Sequence, residues 1–370
     1  MTASEVINLI LGLLGFAIAI LLFWSLPVPG FTSRNTDRLP FLSIIIPARN
    51  EEGRITPLLQ SLQEQRYKSF EILVVDDDST DNTVALAESY GARVLQNKGI
   101  GSGKSSACWL GAKEAKGDWL LFLDADTKFT SVDGLRNLLH FYQRKGARGI
   151  LALQPYHTVK HLYEHLSIVF NIIVVVGMNL FTAWGSRFKA AGSFGPCLLC
   201  NRDDYFLSGG HQKIEGAIMD DLALGQAFLD QNLPVRCLGG RGTISFRMYP
   251  EGLGSLIEGW CKSFAIGSKS THPIVMLMVI LWITGSLTTA SALISSIIDA
   301  SAAAMIINGA LYILYAVQTA WFARRVGNFK WVYFPFYPLF FLFFAGIFLY
   351  SFVRVNVFHS VKWKGRKIKV

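Results

Sequence analysis

Three acidic groups in this 370-residue chain have the residue types and spacing to do chemistry. Asp76, Asp77 and Asp78 close the β-branched run FEILVV, and Asp124 and Asp126 follow directly on the apolar run WLLFL. Both groups fall at the C-terminal ends of expected strands, where open α/β sheets bind ligands. Adjacent carboxylates repel one another unless something binds them. The D-x-D spacing puts Asp124 and Asp126 on one side of an extended chain, and carboxylate oxygen suits a hard divalent cation, Mn²⁺ or Mg²⁺, that also grips substrate phosphates. The third group, Asp220 and Asp221, stands at an expected helix start. Each group has a plain alternative: a solvated turn for the first, a helix cap for the other two.

Lys104 lies in GIGSGKSS, which approaches a phosphate-cradling Walker A loop. That motif requires glycine at position 98, where the chain has Lys98; the nearest glycine is Gly99. A Gly-rich turn presenting Lys104 to phosphate remains sensible. His211 follows a glycine pair and reads as a structural histidine or, on the acceptor side, a second base. The five cysteines, at 108, 197, 200, 237 and 261, are odd in number and scattered, so free thiols are expected even for the C-x-x-C of Cys197 and Cys200.

Positioning these residues needs a sheet. Between about 40 and 270, short β-branched runs alternate with helix-patterned stretches, which predicts a mostly parallel α/β sheet. Strands are expected over 42–46, 71–75, 93–95, 119–123 and 149–154, and helices over 55–65, 81–90, 105–115 and 132–145. The apolar run 168–184 is short for a span and predicts a buried or interfacial helix.

A 51% hydrophobic content is high for a soluble enzyme, and the charge is unevenly spread. Residues 6–26 carry no charge and are long enough to cross a bilayer, so 1–30 reads as an uncleaved anchor. Runs 274–298, 300–323 and 331–353 are also uncharged, which predicts membrane helices over 271–353. Arg34 and Arg38 are the first basic residues, so the positive-inside rule puts the chain after the anchor in the cytoplasm, at the cell membrane. Three full C-terminal crossings would leave the basic tail, 354–370, outside. The last run, with Pro335 and Pro338, is therefore expected to be broken or re-entrant. The net charge of +9 could suggest nucleic acid, but Arg324, Arg325, Lys362, Lys364, Arg366, Lys367 and Lys369 sit beside apolar segments. That placement favours anionic lipid headgroups and no nucleic-acid partner.

The strings SIIIPARNEE, VVDDDSTDNT, GKSSACWLGAKEAKGDWLLFLDAD and MDDLALG together resemble family 2 glycosyltransferases of the GT-A fold over about 42–260. The resemblance implies an inverting, metal-dependent enzyme with a nucleotide-sugar donor. Pro47, Arg49, Glu51, Asp76, Asp77 and Asp78 would line its nucleotide pocket, and Lys104 would stand near the donor diphosphate. Asp126 would be the main metal ligand, with Asp124 facing the donor ribose and sharing the metal. Asp221 would be the catalytic base, Asp220 standing where the family usually has glutamate. Processive members carry Gln-x-x-Arg-Trp; this chain has only Trp260 of that motif, after Leu256, Ile257, Glu258 and Gly259, which argues for transfer of a single sugar. Trp260 and His211 fall on the acceptor side.

QPYHTVKHLYEHLSIVFNIIVVVGMN, FGP, FRMYPEGLGSLIEGW, RRVGNF and VKWKGRKI are similar to the carotenoid-acid glycosyltransferases of staphyloxanthin-type synthesis. That similarity implies glucose transfer from UDP-glucose to the carboxylate of a C30 carotenoid. A carboxylate is already ionised near neutral pH and needs no base. Asp221 fits a hydroxyl acceptor, such as diacylglycerol, at least as well, and polyprenyl phosphate is a third acceptor class. Two readings of other classes are an inactive GT-A scaffold at the membrane and a transporter. The spans hold few polar residues beyond Asn308 and Gln318, which argues against the transporter.

Overall fold

The computed structural model describes residues 2–30, 39–98, 101, 103–217, 219–267, 270–356, 360–363 and 366–369; Arg34, Arg38, Gly99 and Lys364 lie outside these. The chain forms two compact units. One comprises Pro27–Thr158 and Ala190–Met248, the other Met1–Leu26, Val159–Lys189 and Tyr249–Val370.

The first unit is built on strands β1 (Leu42–Ala48), β2 (Phe70–Asp76), β3 (Arg93–Gln96), β4 (Trp119–Leu123), β5 (Thr127–Phe129), β6 (Ile150–Gln154), β7 (Tyr156–His157), β8 (Cys197–Asn201), β9 (Val235–Gly239) and β10 (Ile244–Phe246). Seven of them form one sheet in the order β3-β2-β1-β4-β8-β6-β9, in which only β8 runs antiparallel to its neighbours. A smaller sheet, β5-β10-β7, is hydrogen-bonded separately and shares its core through Phe129 and Ile244. The central strands read as continuous apolar runs because both of their faces are covered. Five strands and four helices fall within a few residues of the sequence expectation, the helices being Glu52–Gln63, Thr83–Ser89, Lys104–Glu114 and Gly134–Arg144.

Two local features set up the site. Pro47 lacks a backbone donor, yet it sits in a central strand; β1 pairs with β4 only as far as Ile45, so the missing donor costs no ladder bond on that side. The helix Lys104–Glu114 comes down close on the sheet at Gly111. A Cβ there would stand 2.5 Å from Ile45 Cγ2 and 3.0 Å from Val75 Cγ2. That close approach fixes the helix, and with it Lys104 at its start.

Among the described residues the second unit contains four helices long and apolar enough to cross a membrane: Ala3–Leu22, Pro273–Ile298, Ala302–Val326 and Trp331–Asn356. The first three pack through small residues. A Cβ at Gly15 would meet the Leu281 carbonyl at 2.6 Å and Tyr315 Oη at 2.8 Å. Tyr315 Oη donates to the Gly12 carbonyl, and Gln318 Nε2 to that of Phe16.

The fourth segment takes a different path. Trp331 lies under the Arg324 guanidinium, 5.3 Å away, near the end of the helix Ala302–Val326. Tyr312 Oη donates to the Pro335 carbonyl, and Tyr337 Oη to the Ser286 carbonyl. Tyr312 is 14 residues before Val326, about 21 Å at 1.5 Å per residue. The chain then returns: Phe341 packs on Trp282, Phe344 on Phe170, and Ser351 Oγ donates to the Cys261 carbonyl. Pro335 lies in the short 3₁₀ turn Trp331–Phe336 at the bend, and Pro338 in the first turn of the helix Tyr337–Asn356, where a missing donor is harmless. The helix itself is continuous.

The apolar run 168–184 holds the helix Ile168–Val176, nine residues and too short to span. Phe170 from it stacks on Trp260 at 4.9 Å. All five cysteines are free and buried.

Candidate active site

The loops after β1 and β2 are laced together. Asn50, at φ 53°, accepts from the Thr80 N–H at 2.8 Å and donates its own N–H to Ser79 Oγ at 3.0 Å. The Glu51 N–H reaches Thr83 Oγ1 at 2.8 Å, and the Glu52 carboxylate accepts from the Asn82 side chain at 2.8 Å. These contacts hold Arg49 and Glu51 beside the first acidic cluster.

The three adjacent aspartates have separate surroundings. Asp76 is buried at the end of β2 and accepts the Ser79 N–H. Buried Asp77 accepts from Asn97 Nδ2 at 2.8 Å and from the Gly103 N–H at 2.9 Å, and lies 3.6 Å from Arg49 Nη1. Asp78 is exposed, at φ 66°. Through Asp77 the cluster ties down the Gly-rich turn that leads into Lys104.

Lys104 is the meeting point of the other two acidic groups. Its Nζ lies 2.8 Å from Asp124 Oδ1 and 3.4 Å from Asp221 Oδ1. Burial works against the ammonium, but Asp124, Asp221 and Asp220 outweigh it and hold its pKa well above the ordinary value. The three residues come from three elements: the helix Lys104–Glu114, the turn after β4, and the start of the helix Asp220–Asp230. Asp124 is fixed by its own backbone, its N–H donating to the Pro196 carbonyl and its carbonyl accepting from Thr127.

Asp126 and Asp221 share an electrostatic predicament. Burial, then neighbouring Asp124 and Glu51, push the Asp126 carboxyl up to about 7, against the pull of Arg54 and Lys104. Burial, then Asp220 and Asp124, push Asp221 to about 7 against Lys104. Asp124, Asp126, Asp220, Asp221 and Glu51 thus face Lys104 and Arg54, an excess of negative charge that invites a cation. Among the described residues no group of three or more ligating side chains is placed to hold a metal ion by itself. Two hard carboxylates, completed by a ligand's phosphates and water, fit a divalent cation such as Mn²⁺ or Mg²⁺.

His211 and Trp260 are packed as core side chains. His211 is buried, with Nδ1 2.9 Å from Tyr205 Oη and its ring on Phe122, and burial lowers its pKa to about 3. Trp260 belongs to the second unit, where its Nε1 donates to Ser167 Oγ at 2.9 Å.

Sequence reasoning passed over Arg54, which faces Asp126, and used Phe194-Gly195-Pro196 only for its resemblance, without assigning the loop Gly192–Gly195 a place under Asp221. The glycine in Phe194-Gly195-Pro196 was a visible signal for the second.

Comparison with known proteins agrees with this architecture. The family model described as Glycosyl transferase family 2 matches residues 43–194. The 4,4'-diaponeurosporenoate glycosyltransferase of Staphylococcus aureus (strain USA300) is 39% identical over 335 residues, covering 89% of this chain and 88% of that protein. Its counterpart in strain MRSA252 is 38% identical over the same coverage. Among solved structures, the mannosyltransferase PcManGT from Pyrobaculum calidifontis, in complex with GDP-Man and Mn²⁺, aligns with a TM-score of 0.54 at 17% identity, covering 94% of this chain and 99% of that one. The chain has that fold, GT-A, and by its identity to the staphylococcal enzymes it belongs to family 2 of the glycosyltransferases.

Proposed function

We propose that this protein is a membrane-bound inverting hexosyltransferase that moves glucose from UDP-glucose to the carboxylate of a membrane-resident C30 carotenoid acid, giving a glucosyl ester. The observation that carries the reading is the junction of Lys104 with Asp124 and Asp221, which gathers donor-side and acceptor-side groups within 3.4 Å of one ammonium. The names of the staphylococcal relatives support the acceptor.

In this reading the nucleotide lies against Pro47, Arg49, Glu51 and the Asp76, Asp77, Asp78 loop, and the diphosphate faces Lys104. Asp126 and Asp124 would hold a divalent cation, whose charge would offset that developing on the leaving diphosphate. The acceptor oxygen attacks the anomeric carbon in line as the bond to the β-phosphate oxygen breaks, so configuration inverts and UDP departs. An ionised carboxylate brings no proton. A hydroxyl acceptor loses one to Asp221, and a base near 7 suits that work. That match favours, as a second reading, transfer to a hydroxyl lipid such as diacylglycerol.

The test supplies membranes carrying the protein with radiolabelled UDP-glucose and Mn²⁺, offering a C30 carotenoid acid beside diacylglycerol. Label in a base-labile carotenoid ester supports the first reading. Label only in the glycerolipid moves the protein to glycolipid synthesis, and no transfer or donor hydrolysis at all would leave a scaffold.

We propose further that three helices cross the bilayer and that 331–356 is re-entrant. Its first arm begins at Arg324 and its second ends against Cys261, ahead of the span Pro273–Ile298, which supports a basic tail on the same side as Arg324 and Arg325, the cytoplasmic side by the positive-inside rule. Exposed Trp321 and Trp331, with Arg325 3.8 Å over the first and Arg324 over the second, suit an interface with anionic headgroups. Single cysteines at exposed Lys330, Asn356 and Asp299 check the topology, because every native cysteine is buried. Lys330→Cys and Asn356→Cys should react with an impermeant thiol reagent from one side and Asp299→Cys from the other. Asn356→Cys grouping with Asp299→Cys would make 331–356 a fourth crossing.

A further inference from the structure

The start of the helix Asp220–Asp230 rests on the loop Gly192–Gly195 through three glycines, and they differ in what they touch. A Cβ at Gly225 would overlap the Ser193 backbone N, and one at Gly192 would stand 2.6 Å from Leu222 Cα. These are backbone against backbone. Ser193 Oγ adds a hydrogen bond to the Asp221 carbonyl at 2.6 Å. Gly195 is the exception: the three atoms nearest to its absent Cβ are Oδ2, Cγ and Oδ1 of Asp221. Its φ is not positive, so alanine there meets no backbone strain.

We infer that Gly195 is a positioning residue that holds open the space occupied by the Asp221 carboxylate and so keeps Asp221 against Lys104. The carboxylate is the mobile end of its side chain. A methyl group at 195 would turn it out of that space and away from Lys104, at small cost to the fold. Pro196 then carries the same strand-entry backbone to Asp124, whose N–H bonds the Pro196 carbonyl. One short segment thus underlies both carboxylates that Lys104 joins.

The inference rests on the second reading above, in which Asp221 takes the proton of a hydroxyl acceptor. The experiment uses full-length protein in detergent with UDP-glucose, Mn²⁺ and diacylglycerol, the hydroxyl acceptor whose proton Asp221 would take; no transfer to diacylglycerol by the wild type would remove that reading, and the inference with it. Gly195→Ala should lower kcat roughly tenfold to a hundredfold, with KM for UDP-glucose and Tm near the wild-type values. Gly225→Ala, which strikes backbone, should lower Tm instead. In an Asp221→Asn background Gly195→Ala should cost little more, because the group it displaces has already lost its charge.

A fall in Tm for Gly195→Ala equal to that of Gly225→Ala would make its role structural and overturn the inference. Asp221→Asn slow with Gly195→Ala at wild-type speed would sink the positioning role alone. Asp221→Asn at wild-type speed would remove the reading of Asp221, and any kinetic role for Gly195 with it.

Discussion

At the scale of single residues the site is a balance of charges that a ligand would shift. The Asp126 carboxyl, raised to about 7 by burial and by Asp124, must be ionised to bind a cation. Affinity for Mn²⁺ should therefore fall as pH drops below about 7, approaching tenfold per unit. Titration calorimetry across pH 6 to 8 checks this, and a flat profile contradicts it. Stability follows the same sign. A carboxyl whose folded pKa is raised contributes stability at low pH and loses it as pH rises through about 7. Mn²⁺ should accordingly raise Tm more at pH 8 than at pH 6. Asp126→Ala should abolish metal-dependent UDP binding, and undiminished affinity in Mn²⁺ would rule out the ligand role. Asp221→Asn should leave UDP binding intact while slowing transfer to a hydroxyl acceptor by roughly a hundredfold or more. Small loss of turnover would mean that the acceptor arrives already ionised.

At the scale of elements, strand ends carry the chemistry and helix packing sets its precision. The helix Lys104–Glu114 is seated by Gly111 against Ile45 and Val75. Gly111→Ala should lift the helix and cost about 1–3 kcal/mol, read as a fall in Tm, because no flexible side chain is there to give way. A variant with unchanged Tm would show that the contact is not close in solution. The β-branched runs of β1 and β2, the apolar run of β4 and the acidic groups after β2 and β4 were legible in the sequence, because run composition and end residues are local properties. Strands β5, β7 and β10, two or three residues each, were not, since so short a run carries no period. Nor was the meeting of Lys104 with Asp221, 117 residues apart, legible in the spacing; that string of residues pointed to it only by resemblance. Asp77 shows the opposite limit: its neighbours Asn97 and Gly103 give it hydrogen-bond donors that a triple aspartate does not advertise.

At the scale of the whole molecule, chain order and compact units do not coincide. The unit that holds Lys104, Asp124 and Asp221 is interrupted by Val159–Lys189, which groups with the long apolar helices. Within that segment the helix Ile168–Val176 buries Ile168, Val169, Phe170, Ile172 and Val175, and Phe170 packs on Phe343, Phe344 and Trp260. Those partners all lie beyond residue 259. A fragment of residues 27–248 would therefore keep every strand of the seven-stranded sheet but expose an apolar helix stripped of its cover, at about 25 cal/mol per Å² of surface returned to water. The fragment should aggregate or remain detergent-bound. Replacing 159–189 by a short Gly/Ser linker should release it as a soluble monomer that still binds UDP in the presence of Mn²⁺, because each residue of the Lys104 junction lies outside the replaced stretch. Gel filtration and calorimetry on the two fragments decide the matter: equal solubility with and without 159–189 would mean that the apolar helix does not depend on the membrane unit for its burial.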